Sequence, residues 1–497
     1  MIAAFQALSL ILEPIKLSPL LHKTPKLRQT LTLTPLCAAK EGFMAAETSS
    51  HSRPIKRPAR RKPTSYGTSR RSTIKKSFSQ EQVIFTTPVS NNSSIAIIGG
   101  GLSGLLCPPP LAPRGILRST VFDTGIHGLG GRMATRTLVE SQKKLVFDHA
   151  AQFFTARDAR FQKLVHKWVS EGLVTEWKGV IGELEAGGRF TPIQSSAAKY
   201  IGIEGMRLLA DSIHKGTNLV EIIRPCWISK LEPFNGMWHL REKERTRGSF
   251  DAIVIAHNGK CANRLLSFSG LPQLCKQMKK LELSSIWALL AAFEDPLPVP
   301  LDEGCRAVEG AFVKGVEAVS WMGNNTSKLS LLRDSNGGHQ CWTFFSTASY
   351  GRRNKCPQEN ISNATAEKVK KEMIDGVEAA LGLCKGSLPQ PFYSRVQLWG
   401  AGLPRNTPGV PCVFDPYGRA GICGDWLLGS SMEAAALSGI SLGNHVADYF
   451  EDGGSEVEKF AVGLNEEFKD VSGYDIGDFP GFDSSEAGSW DLQCVAR

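Results

Sequence analysis

Ser94-Ile95-Ala96-Ile97-Ile98-Gly99-Gly100-Gly101-Leu102-Ser103-Gly104 decides the reading of this chain. The first five residues are a short apolar, β-branched run, the pattern of a strand buried on both faces of a parallel sheet. The glycines that follow satisfy G-x-G-x-x-G. Gly99 permits a tight turn, Gly101 lets the backbone approach a pyrophosphate, and Gly104 lets the next helix pack closely on the strand. That helix would turn its N–H groups and positive dipole end toward the phosphates, with the Ser103 hydroxyl as a further donor. About 20 residues on, Ser119-Thr120-Val121-Phe122-Asp123 reads as a second strand ending in an acid, the position expected to accept ribose hydroxyls.

One feature cuts across this pattern. Cys107 is followed by Pro108-Pro109-Pro110, and Pro113 stands close behind. An interior proline costs a helix ~3 kcal/mol or more through a lost hydrogen bond and a ring clash. The helix after Gly101 is therefore predicted to end within about two turns. Its phosphate-facing first turn survives, and its packing on the sheet is placed in question.

Downstream come Gly128-Leu129-Gly130-Gly131-Arg132-Met133-Ala134-Thr135-Arg136 and Phe147-Asp148-His149-Ala150-Ala151-Gln152-Phe153-Phe154-Thr155. Near the other end stand Ala420-Gly421-Ile422-Cys423-Gly424-Asp425-Trp426 and Gly429-Ser430-Ser431-Met432-Glu433-Ala434-Ala435-Ala436-Leu437-Ser438-Gly439. In this order the segments resemble the renalase-like branch of the flavin-containing amine oxidase superfamily, in particular its bacterial and plant NAD(P)/FAD-dependent oxidoreductases. The likeness runs from about Ser93 to Phe450.

The resemblance implies an α/β fold: a Rossmann-like FAD-binding domain and a second domain of mixed or antiparallel β-sheet plus helices. It implies FAD as cofactor, held by Gly99, Gly101, Ser103, Gly104, Asp123, Gly131, Arg132, Met133, Ala151, Gln152, Gly424, Asp425, Ser431, Met432 and Glu433. Arg132 would pair with the pyrophosphate, a task suited to a guanidinium fork. Gln152 would offer a donor and an acceptor to the flavin edge. Asp425 would lie near the ribitol or pyrophosphate, and Ser431 to Glu433 would open a helix aimed at the flavin pyrimidine. Two positions depart from the family pattern, Ala150 where glycine is usual and Ala434 within the last motif.

The implied domain plan is discontinuous. Residues 93–157, 203–262 and 395–450 form the FAD-binding domain, and residues 158–202 and 263–394 the substrate domain. Phe250-Asp251-Ala252-Ile253-Val254-Ile255-Ala256 reads as a strand returning to the first domain, and Gly205-Met206-Arg207 as a helix start. Ser320-Trp321-Met322 and Cys341-Trp342-Thr343-Phe344-Phe345 read as strands of the second, and 364–380 as an amphipathic surface helix. Trp287, Trp321, Trp342 and Trp399 are either core packing or walls of an aromatic cage.

The ends differ in character from the body. Residues 1–94 carry fifteen Lys and Arg against four acids, so the net charge of +10 falls to −1 for the remainder. The body therefore has no nucleic-acid footprint. Residues 1–45 are basic, hydroxylated and acid-poor, the composition of an organelle transit peptide. A chloroplast destination is expected, with the mitochondrion as alternative. Residues 46–92 read as a disordered basic linker, and 451–497 as an acidic C-terminal tail. The longest apolar runs, Met1–Leu12 and 286–293, are well short of the ~20 residues of a membrane span. Twelve cysteines are scattered with no pair closer than Cys412 and Cys423, so neither metal-ligand spacing nor C-x-x-C occurs. The expected function is an FAD-dependent oxidoreductase that takes a hydride from an amine or a reduced nicotinamide-like dinucleotide. The alternative, motivated by the triple proline, is an organellar flavoprotein-like scaffold or assembly factor. Catalytic side chains are unassigned, with His149 and His257 as candidates by position only.

Overall fold

The computed structural model describes residues 81–471 except 90–92, 112–113, 115–117, 195–196, 303, 305, 331–337 and 454–455. The proposed leader, most of the basic linker and the last 26 residues lie outside the described residues.

The run that opens the sequence argument is the strand Ser94–Ile98, and it sits inside a six-stranded sheet. Across that sheet the order is Val413–Asp415, Ala420–Ile422, Ala252–Ile255, Ser94–Ile98, Arg118–Phe122 and Val220–Ile223. Every pair is parallel except the outermost, Val413–Asp415 against Ala420–Ile422. Both faces are buried. Ile95 and Ile97 join the core beneath the C-terminal helix Met432–Glu451, while Ala96 and Ile98 join the core beneath the antiparallel meander of residues 230–250. Burial on two sides is what the unbroken apolar run required.

The helix after the glycine turn spans only Leu102–Leu106, and Cys107 caps it before the prolines. This is the early stop that the prolines dictate. Its packing is rescued by glycines of the C-terminal helix. A Cβ on Gly439 would lie 2.1 Å from the Ser103 carbonyl oxygen, and one on Gly443 would lie 2.3 Å from that of Cys107. Two glycines one helical turn apart thus let the long helix lie directly on the shortened one.

The second sheet has seven strands in the order Tyr393–Pro404, Leu283–Phe293, Gln340–Phe345, Trp321–Asn324, Val308–Lys314, Val180–Glu185 and Arg189–Pro192. Its pairs are antiparallel except Val308–Lys314 with Val180–Glu185. Tyr393–Pro404 therefore belongs to this sheet, although the sequence plan began the last FAD-binding segment at 395. The helix Asn363–Leu381 covers the sheet with Val369, Met373 and Val377. Ser362 caps its start and Gly382, at φ +69°, ends it. Trp287, Trp321 and Trp342 are fully buried and pack in the cores of this sheet. Three of the four tryptophans are thus core residues.

Two segments read from sequence as non-globular pack on the body. Within 81–89, the Val83 N–H donates to the Gly270 carbonyl at 2.9 Å, and the Phe85 ring meets Trp238 edge-on at 5.5 Å. Within 456–471, Leu464 joins a hydrophobic core and its carbonyl accepts from Gln277 Nε2 at 2.6 Å. Residues 81–89 and 456–471 therefore belong to the packed body rather than to a linker or tail. Sparse apolar residues among polar ones hid these segments from a compositional reading.

Candidate cofactor and substrate site

The site is built where two glycine turns meet. Gly99 has φ +124°, and an added Cβ would strike the Ala256 carbonyl oxygen at 2.7 Å. A Cβ on Gly104 would sit 2.0 Å from the Gly99 carbonyl, which shows how closely the short helix lies over the strand end. The Gly130 N–H donates to the Gly100 carbonyl at 2.7 Å, so the second glycine segment lies against the first. A Cβ on Gly101 would meet nothing within 4 Å, and Gly131 is exposed with φ +55°. Between them the two turns leave an open, side-chain-free edge.

Asp123 borders this edge. Its Oδ2 accepts from Gly100 N–H at 2.8 Å and its Oδ1 from Gly125 N–H at 2.7 Å, so the carboxylate is fixed in place. Each oxygen retains a second lone-pair site for a hydroxyl. Open glycine backbone beside an oriented acid fits the phosphate and ribose portions of a dinucleotide.

Other predicted residues are engaged differently. Arg132 donates from Nη2 to Asp425 Oδ1 at 2.5 Å and from Nη1 to the Gly402 carbonyl at 2.9 Å. Two residues assigned separately to the cofactor are therefore partners of each other. Ser103 is buried on the short helix Leu102–Leu106. Met133 and Met432 are buried in the core beneath the turns. Gly424 donates its N–H to Ser438 Oγ at 2.9 Å. Ser431 caps the C-terminal helix by accepting from Ala434 N–H at 3.0 Å. Glu433 Oε2 accepts the N–H groups of Arg157 at 2.6 Å and Asp158 at 2.9 Å, tying the segment after Gln152 to that helix.

Ala151 donates its N–H to the Arg132 carbonyl at 2.9 Å, which brings the third segment to the second. Gln152 is buried, and its Nε2 donates to the carbonyls of Asp148 at 2.6 Å and Ala150 at 3.2 Å. Its amide thus holds its own loop, and Oε1 faces Gly323, where a Cβ would be 3.1 Å away.

Beneath this loop lies a charged cluster that sequence reasoning did not assign. Lys328 Nζ is 2.8 Å from Asp148 Oδ2 and donates to the Gln152 carbonyl at 3.0 Å. Both side chains are at most 2% exposed. Asp148 Oδ1 also accepts from Thr135 Oγ1 at 2.5 Å and from Met206 N–H at 3.0 Å. Asn325 Oδ1 accepts the Asp148 N–H, and Asn325 Nδ2 donates to Thr343 Oγ1. A buried ion pair holds when further hydrogen bonds support it, and here both partners have them, Asp148 from Thr135 and Met206 and Lys328 from the Gln152 carbonyl. The cluster couples the Thr135–Asp148 hairpin to the second sheet. Lys328 ends the one-turn helix Asn325–Lys328, whose polar sequence carries no motif to mark it.

Neither candidate histidine is placed as a catalytic base. His257 Nδ1 lies 3.0 Å from the Ile98 carbonyl behind the glycine turn, and burial lowers its pKa. His149 stacks on Trp399 with centroids 5.5 Å apart, and Trp399 Nε1 donates to the His149 carbonyl at 2.7 Å. Burial, then the charge of Arg136, pushes His149 down to about 4, so its imidazole is neutral near pH 7.

Among the described residues no cluster of His, Cys, Asp or Glu could hold a metal ion, and no helix is long and apolar enough to cross a membrane.

Comparison with known proteins agrees with this architecture. Solved structures with the same fold include a protein from Exiguobacterium sp. 255-15 provisionally assigned as a protoporphyrinogen oxidase. It has 12% identity and a TM-score of 0.54, over 72% of this chain and 99% of that one. Cyclohexylamine oxidase from Brevibacterium oxydans IH-35A matches at 13% identity and TM-score 0.51, over 72% and 100%. Reduced UDP-galactopyranose mutase matches at 10% identity and TM-score 0.52, over 74% and 97%. Two oxidases and a mutase on one fold fix the architecture and leave the reaction to the site. Residues 97–168, from the first strand through the turns to the helix Ala159–Ser170, match the family model of an NAD(P)-binding Rossmann-like domain.

Proposed function

We propose that this chain is an FAD-dependent oxidoreductase that takes a hydride from an amine or a reduced nicotinamide-like substrate. The observation that carries the reading is the convergence of three distant segments on one open glycine edge, with Asp123 beside it and the Arg132–Asp425 pair at its flank. That arrangement fits a dinucleotide cofactor, and the motif resemblance supports FAD. When bound, FAD supplies a two-electron acceptor, with electrons passed on to an acceptor such as oxygen.

The chain's own residues bind and orient. Gly99, Gly101 and Gly131 keep side chains away from the phosphates, and Asp123 would take the ribose hydroxyls. Arg132 and Asp425 hold the second and last motifs in register. Gln152, Lys328 and Glu433 fix the Ala150–Gln152 loop from within, so that its exposed side keeps one shape. The scaffold alternative loses its motive, because Gly439 and Gly443 restore the packing that the prolines threatened. Chloroplast delivery is part of the proposal and rests on the leader's composition alone. A fluorescent fusion carrying residues 1–92 tests it, with mitochondrial import as the competing outcome.

The test of the reaction is anaerobic mixing of the purified, FAD-loaded full chain with amines and reduced nucleotides. Bleaching of the flavin by one class supports the proposal. A flavin that stays oxidised with every member of both classes removes it and returns the scaffold reading.

A further inference from the structure

The hairpin Thr135–Glu140/Lys143–Asp148 turns one face toward the strand Tyr393–Pro404. Phe147 stacks on Tyr393 with centroids 5.7 Å apart, and His149 stacks on Trp399 at 5.5 Å. Arg136 is the direct cross-strand partner of Phe147 and so shares its face. Along the facing strand, Tyr393, Arg395, Gln397 and Trp399 alternate with Val396 and Leu398, which pack in the core on the other side. Two arginines are thereby brought to one interface.

Neither guanidinium has a hydrogen-bond or ion-pair partner among the described residues. Arg136 Nε and His149 Nδ1 are buried and unpartnered, and His149 as a whole is only 6% exposed. Each such atom loses its solvation without a replacement partner, and like charges facing across a half-buried interface add repulsion. Burial, and then the charge of Arg395, lower the Arg136 pKa. The acids nearby do not supply one. Glu140 forms no ion pair with either guanidinium among the described residues, and Glu359 and Glu367 border Arg395 in a cleft toward the helix Asn363–Leu381 without forming an ion pair with it. Glu367 pairs with Lys370.

We propose that Arg136 and Arg395, with His149 and the Trp399 ring, form a recognition site for an anionic group, carboxylate or phosphate, carried by the substrate. An anion seated there would satisfy both guanidinium groups and the neutral imidazole, in its Nδ1–H tautomer, at once. A substrate whose sole charge is an ammonium would meet two unopposed cations. The site lies one residue from the Ala150–Gln152 loop and on the strand whose Gly402 carbonyl receives Arg132. Assigning the anion to the substrate rests on the oxidoreductase reading. The existence of the anion site does not.

The test is titration calorimetry on the full chain, with and without FAD loaded, using benzoate, phenyl phosphate and benzylamine. These share a ring and differ in the charged group. The site predicts that at least one anion binds, that benzylamine does not, and that Arg395→Gln and Arg136→Gln each weaken the anion at least tenfold. The preferred anion tells carboxylate from phosphate. Arg395 is exposed, so its variant carries the test if the Arg136 variant does not fold. Equal binding of benzylamine, unchanged anion binding in Arg395→Gln, or loss of anion binding once FAD is loaded would each overturn the proposal. Flavin content is measured on the same samples. A chain that never takes up FAD but binds anions through Arg395 fails the oxidoreductase reading and keeps the site.

Discussion

The Arg132 guanidinium and the Asp425 carboxylate lie 2.5 Å apart and join two glycine-rich segments 293 positions apart in sequence. Asp425 is nearly buried, at 10% side-chain exposure, while Arg132 keeps 32%. Partial exposure screens the pair, so a double-mutant cycle with Arg132→Met and Asp425→Asn should return a coupling of about 1 kcal/mol. Arg132→Met should also lower FAD retention, since it loosens the second motif from the last. Full flavin content in that variant would remove the organising role.

The two classes of glycine should respond oppositely. Gly101→Ala adds a methyl to open space at an ordinary φ of −75°, so stability should change by no more than about 0.5 kcal/mol while FAD affinity falls. Gly439→Ala drives a methyl into the Ser103 carbonyl and should cost about 1–3 kcal/mol. Urea unfolding and flavin titration of the two variants check both halves. The reverse pattern would contradict the assignment of Gly101 to the ligand edge.

Removing one member of the buried pair strands the other. Lys328→Met leaves Asp148 without its cation and should destabilise by about 3–5 kcal/mol. The same change in an Asp148→Asn background should cost distinctly less, because no charge is then stranded. Equal costs in the two backgrounds, read from urea midpoints, would show that the pair is not coupled.

His149 gives a pH signature. Its folded pKa is lowered from 6.5 to about 4, so between those values the unfolded chain binds a proton that the native chain refuses. Native stability therefore falls as pH drops through that window, by about 2 kcal/mol at pH 5 from this group. His149→Phe should lose that component and unfold with a shallower acid dependence. Parallel curves for both proteins between pH 7 and 5 would contradict the burial of a neutral imidazole.

What the sequence revealed follows the range of the forces involved. The strand, glycine turn and Asp123 were legible because their chemistry is local, and the helix stop at Cys107 followed from three consecutive prolines. The rescue of that helix was not legible, since Gly439 acts only through a helix some 330 residues away. Arg132 reads as a cofactor contact in sequence because guanidinium groups suit phosphates, yet its partner in the fold is Asp425. Lys328 carries no local mark of burial; only the fold brings Asp148 to it. Arg136 and Arg395 are ordinary arginines in sequence, and their juxtaposition exists only because the hairpin lies on the strand Tyr393–Pro404. Val83, Phe85 and Leu464 were lost in polar surroundings whose composition outweighed them.

The most direct test of the central claim is the flavin content of the full chain, purified, incubated with FAD, freed of excess and then heat-released for quantification. The account predicts close to one FAD per chain, with the absorption of oxidised flavin before release. A folded chain that remains colourless after that incubation would contradict it, and with it the assignment of the Gly99–Gly101 and Gly130–Gly131 edge to a flavin dinucleotide.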